Sequence, residues 1–126
     1  MPTILIVDDD EIAARFVKRQ LTREGFQVET ATDGPSGVAK AESVKPDLIL
    51  MDMCMPDMND GLDATRQIRT IPALAKIPVL ALTARAFLVE KQAAFEAGCN
   101  EVIEKPIEDM PAFVEKIRKW LTEVRS

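Results

Sequence analysis

Five short apolar runs, each followed by a stretch of helical period, constrain this chain more than any other feature. The runs are Thr3–Val7 (TILIV), Gln27–Ala31, Asp47–Met51 (DLILM), Val79–Leu82 and Glu101–Ile103. The first and third are continuous in apolar, largely branched residues and do not alternate with polar ones. A strand of that kind must be covered on both faces, which is the habit of parallel sheets packed between helices. The order is therefore strand–helix repeated five times, an α/β fold with a five-stranded parallel sheet and helices on both faces. Right-handed crossovers leave few ways to connect it.

The intervening segments carry start and stop signals. After Asp8-Asp9-Asp10-Glu11 comes a helix with Ile12, Phe16, Val17 and Leu21 on one face, and Gly25 closes it at the C′ position. Asp33-Gly34-Pro35 opens the second helix with Pro35 in its first turn, and Pro46 ends it. The third helix is expected over about Gly61 to Thr70. Pro78 leads into the fourth strand, and the fourth helix covers Ala86–Ala97 before Gly98. Met110, Phe113, Val114, Ile117, Trp120, Leu121 and Val124 form the apolar stripe of the last helix.

Composition excludes several functions. The 126 residues suit one domain, 1–126, and 47% hydrophobic residues need no disulfide or metal to build a core. Histidine is absent, which removes Ser-His-Asp and Cys-His catalysis and histidine-ligated metals. The net charge of −5 argues against direct binding to nucleic acid or an anionic membrane. Cys54 and Cys99 have no zinc-like spacing, and so few cysteines fit a reducing cytoplasm. The longest uncharged run, Ile77–Ala84, has eight residues, far short of the roughly 20 a membrane helix needs.

In sheets of this type, ligands bind beyond the carboxyl ends of the strands. The polar residues expected there are Asp8 and Asp9 after the first strand, Asp52 after the third, Thr83 after the fourth and Lys105 after the fifth. Crowded carboxylates call for a cation, and all-oxygen ligands suit a hard ion such as Mg2+. A lone carboxylate also serves as a nucleophile toward phosphorus, giving an aspartyl phosphate. The metal and the lysine would neutralise the phosphoryl oxygens, and the threonine hydroxyl would hydrogen-bond to them. Asp10 is read as a helix cap alone.

The stretches ILIVDDD (4–10), DLILMDMCMP (47–56), PVLALTARA (78–86) and AGCNEVIEKPI (97–107) make the chain similar to the receiver domain of two-component response regulators. The likeness runs through the whole chain in order and spacing. With nothing after the fifth helix, it resembles the stand-alone receivers of the chemotaxis and cell-division regulator type. The resemblance implies a doubly wound sheet of order 2-1-3-4-5. It implies phosphoryl transfer from the phosphohistidine of a histidine kinase or histidine phosphotransfer protein onto Asp52, with Mg2+. By position, Asp9 would be a direct metal ligand, Asp8 an acid held through water, and the backbone carbonyl of Cys54 a further ligand. Thr83 and the Ala84 amide would meet the phosphoryl group, Lys105 would pair with its oxygens, and Pro106 falls where the family has a cis bond. The face of helix four, strand five and helix five would meet a downstream protein, in a monomer or weak homodimer. The chain would catalyse only its own modification.

Two positions depart from the family pattern. Val102 stands where an aromatic switch residue is usual, and Pro56-Asp57-Met58-Asn59-Asp60-Gly61 holds one residue more than the usual Pro-x-x-Asp-Gly. A phosphorylation-independent binding module on the same fold is the rival reading. A flavodoxin-like carrier is disfavoured because Asp8-Asp9-Asp10 would repel a flavin phosphate. A haloacid-dehalogenase-type phosphatase would need an acid where Cys54 stands. Cys54 has few basic neighbours to activate its thiol. Met51 is expected in the core, and Met53, Met55 and Met58 are expected to pack the following loop.

Overall fold

The structure is a computed structural model that describes residues 1–53, 58–84 and 88–125. Cys54, Met55 and Arg85, and the side chains of Met58 and Val124, lie outside the described residues. The strands are β1 (Thr3–Val7), β2 (Gln27–Ala31), β3 (Leu48–Asp52), β4 (Val79–Thr83) and β5 (Glu101–Glu104). The helices are α1 (Glu11–Arg23), α2 (Gly34–Val44), α3 (Met58–Thr70), α4 (Leu88–Ala97) and α5 (Met110–Arg125), with a short 3-10 turn at Pro72–Leu74. All strand pairs are parallel and the order is β2-β1-β3-β4-β5, as expected.

This order follows from burial. Every residue of β3 and β4 is buried, so both strands occupy the interior of the sheet. Odd and even positions then face separate cores. Ile4, Ile6, Leu48, Leu50, Leu80 and Leu82 pack under α1 and α5, while Leu5, Val7, Ile49, Met51, Val79 and Ala81 pack under α2, α3 and α4. Each buried aliphatic side chain of this size contributes about 2 kcal/mol.

The local signals act as their chemistry requires. Asp10 caps α1 by accepting from the Ile12 and Ala13 amides, and Asp33 forms a capping box with Ser36. Gly25 and Gly98 take positive φ after α1 and α4. Met51 and Met53 are buried, in keeping with a packing role.

Two expectations are corrected. Helix α3 begins at Met58 rather than near Gly61, and Pro56 and Asp57 of the lengthened loop lie outside the described residues. On α1, Val17 and Leu21 are buried but Ile12 and Phe16 are 81% and 55% exposed. The sheet is reached by only a narrow stripe of α1, centred on Ala14, Val17 and Leu21, and Ile12 and Phe16 fall beside it.

Candidate functional site

The strand order reverses between β1 and β3: the chain runs from β1 outward to β2, then returns to the other side of β1. Crossovers diverge there and leave a crevice at the carboxyl ends of the two strands. Asp8 follows β1 and Asp52 ends β3, so backbone topology alone brings both carboxylates to that crevice. The Asp8 amide donates to the Ala31 carbonyl at 2.9 Å and extends the β1–β2 ladder by one residue. Asp52 is paired with Leu82 of β4, and the Met53 amide donates to the Leu82 carbonyl at 2.8 Å.

Both carboxylates are buried, at 3% exposure for Asp8 and 1% for Asp52, whereas Asp9 is exposed. One ligand atom from each of the three lies within 4.8 Å of the others. The Asp8 Oδ1 atom accepts from the Asp10 amide at 2.9 Å, which ties the cluster to the start of α1.

Lys105 supplies the opposing charge. Its amide donates to the Thr83 carbonyl at 2.9 Å, fixing the residue just beyond β5, and the Lys105–Pro106 peptide is cis. Its Nζ lies 3.2 Å from Asp8 Oδ2 and 3.2 Å from Asp52 Oδ1. Burial works against the ammonium, but Asp52 and then Asp8 outweigh it and hold the lysine above its ordinary value. Among the described residues, three carboxylates meet one lysine here, and two of the three acids are buried. An all-oxygen cluster of this kind fits a hard divalent cation.

Thr83 is buried at the end of β4, and Ala84 follows it at the surface. The structure therefore brings together Asp8, Asp9, Asp52 and Lys105, with Thr83 and Ala84 on the adjoining strand end. Cys54 is not among the described residues.

The sequence reading missed what surrounds Lys105. Ile6, Ala13, Phe16, Pro106 and Ile107, with Asp8 and Lys105, line a cavity of about 180 Å³. The sequence carried Phe16 and Ile107, but periodicity placed Phe16 only on the shared apolar face of α1.

A family model described as the response regulator receiver domain matches residues 4–118. The chain belongs to that family. It is 38% identical over 110 residues to the response regulator PleD of Caulobacter vibrioides, covering 87% of this chain and 24% of that protein. The chain thus spans about a quarter of that relative's length. A CheY-like receiver domain protein from Methanospirillum hungatei superposes with a TM-score of 0.89 at 30% identity, over 99% of this chain and 97% of the other. The receiver domain of a sensor histidine kinase from Pseudomonas aeruginosa, with a magnesium ion coordinated in its active site cleft, superposes with a TM-score of 0.87 at 30% identity, over 96% and 98%. Receiver domains are the phosphorylation-dependent signalling modules of two-component systems, and this chain is one of them. No helix among the described residues is long and apolar enough to cross a membrane.

Proposed function

We propose that Asp52 accepts a phosphoryl group from the phosphohistidine of a histidine kinase or histidine phosphotransfer protein, with Mg2+ bound at the acidic cluster. The observation that carries this reading is the buried Asp8–Asp52 pair bridged by Lys105, with the Asp9 carboxylate beside them in one all-oxygen cluster. An Asp52 carboxylate oxygen attacks phosphorus, the bond from phosphorus to the donor imidazole nitrogen breaks, and the neutral imidazole leaves with a proton from solvent. Hydrolysis later returns the Asp52 carboxylate and releases inorganic phosphate. The chain acts only on itself in this cycle and turns over no separate metabolite.

Each side chain has a part suited to its place. Lys105, held between Asp8 and Asp52, turns its ammonium to the incoming phosphoryl oxygens. The Thr83 hydroxyl and the Ala84 amide, one strand over, hydrogen-bond to the same group. Asp8, Asp9, Asp52 and the backbone carbonyl of Cys54 would hold Mg2+, which when bound supplies charge neutralisation for the phosphoryl oxygens.

The donor approaches over α1. Ile12 and Phe16 stand exposed there, and Phe16 lines the same cavity as Lys105 and Asp8. A downstream protein reads the face of α4, β5 and α5, and the domain works in the cytoplasm as a monomer or weak homodimer.

The test is intact-mass spectrometry after incubation with Mg2+ and acetyl phosphate or a phosphorylated histidine donor. One added phosphoryl group is expected, lost with Asp52→Asn and lost on metal chelation. A wild-type protein that gains no phosphoryl group from either donor would overturn the reading.

A further inference from the structure

Val102 sits half-buried on β5, packed against the core shared with α4, where it offers no aromatic ring to swing. A change at Asp52 that reaches the α4–β5 region would need another connection. We infer that α3 is that connection, transmitting the phosphorylated state of Asp52 through Gly61, Thr65 and Arg69 to the junction of α4 and β5. The inference rests on Asp52 being the acceptor.

At its amino-terminal half, α3 lies directly on the backbone of Asp52. A Cβ built on Gly61 would stand 2.8 Å from the Asp52 carbonyl oxygen and 2.8 Å from the Met53 sulfur. No slack separates helix and strand, so a shift of the Asp52 backbone must displace α3. One turn on, the fully buried Thr65 donates its hydroxyl to the Gly61 carbonyl at 2.8 Å. The Thr65 hydroxyl oxygen also lies 3.9 Å from the Cys99 sulfur, in the link between α4 and β5.

At the other end, Arg69 grips that link. Its Nε and Nη2 atoms donate to the Gly98 carbonyl at 2.9 and 2.8 Å, and Nη2 also donates to Asn100 Oδ1 at 2.8 Å. Gly98 follows the last turn of α4, and Asn100 precedes β5 and pairs through its backbone amide with the Val79 carbonyl at 2.7 Å. Nη1 anchors the same guanidinium to the Ala75 and Ile77 carbonyls at 3.0 and 2.6 Å. A Cβ on Gly98 would stand 2.7 Å from Arg69 Cγ, so this contact is as close as the first. Packed elements with two tight ends transmit small shifts because they cannot deform continuously.

Cys99 is the built-in reporter, a buried thiol at the receiving end. The experiment is pulse alkylation with N-ethylmaleimide, read by peptide mass mapping to separate Cys99 from Cys54, with phosphoryl content counted by intact mass. Phosphorylation of the wild type should change the Cys99 alkylation rate by about threefold or more, a shift of local opening at the junction. Loss of that change in Thr65→Val or Arg69→Lys, with one phosphoryl group still added and with Val102→Ala responding like wild type, supports the inference. An unchanged rate in phosphorylated wild type, a full response in both α3 variants, or a response lost in Val102→Ala overturns it. Failure to add a phosphoryl group at all overturns the acceptor reading instead, and the inference falls with it.

Discussion

Lys105 and Arg69 are both half-buried cations, placed at opposite ends of the sheet, and they are neutralised in opposite ways. Lys105, at the carboxyl edge, faces two buried carboxylates and is outnumbered. Arg69, before β4 and β5, meets no carboxylate within ion-pair distance among the described residues; its donors go to the carbonyls of Gly98, Ala75 and Ile77 and to the side-chain oxygen of Asn100. Burial lowers the Arg69 guanidinium from its ordinary value, with the nearby Cys99 acting weakly the other way, whereas the carboxylates raise Lys105. The arginine end is satisfied by neutral dipoles and asks for nothing more. At the lysine end, among the described residues, three carboxylates meet one lysine, a set suited to an added cation. A complete hydrogen-bond set marks a structural joint; a charge imbalance marks a place for chemistry.

The comparison can be broken by removing each cation in turn. Arg69→Met strands several carbonyls in the interior and should cost about 3 kcal/mol in urea unfolding, with the loss unaffected by Mg2+. Lys105→Met leaves Asp8 and Asp52 facing each other and should cost about 2 kcal/mol in chelator, most of it restored by Mg2+. Restoration of the Arg69 variant by Mg2+, or its failure in the Lys105 variant, would show that the two ends do not differ as described. In wild type, Mg2+ at ten times its dissociation constant should add about 1.4 kcal/mol of stability, a gain that Asp9→Asn should sharply reduce in calorimetry.

The smallest effect sits at the amino end of β5. Glu101, at the start of β5, accepts from the Trp120 indole at 2.7 Å and pairs with Lys116 at 2.7 Å. Burial alone would raise its carboxyl, but Lys116 and Trp120 outweigh burial and hold it below the ordinary 4.5. A depressed carboxyl stabilises the fold above its unfolded value and loses that contribution as pH falls through its folded value. Wild type should therefore melt slightly above Glu101→Gln at pH 7, with the difference shrinking below about pH 4.5. A difference that grows on acidification would contradict the assignment. Cys99, pushed up to about 11 by burial, should alkylate much more slowly at pH 8 in the unphosphorylated protein than in the unfolded chain.

Much of this was legible in the residues. The apolar runs gave the sheet because an unalternating strand has nowhere to go but between two helical layers. Asp10, Asp33, Gly25 and Gly98 marked helix ends because caps and positive φ are local properties of single residues. The acidic cluster was legible because strand ends in a parallel sheet are forced to one edge. Ile12 and Phe16 were misplaced because periodicity reports which residues share a face and leaves open how wide a strip of that face the sheet covers. The start of α3 was misplaced because Asp60-Gly61 reads locally as a helix opening, yet the turn before it is helical too.

The sequence by itself determined the strands, the caps and the identity of the charged residues at the crevice, since these depend on neighbours within a few positions. Tertiary structure alone decided that Lys105 spans Asp8 and Asp52 at equal distance, that α3 rests on the Asp52 carbonyl with room only for glycine at position 61, and that Arg69 joins three elements through carbonyls. Those contacts link residues far apart in the chain, and backbone carbonyls carry no sequence signature, so nothing short of the packed fold could reveal them.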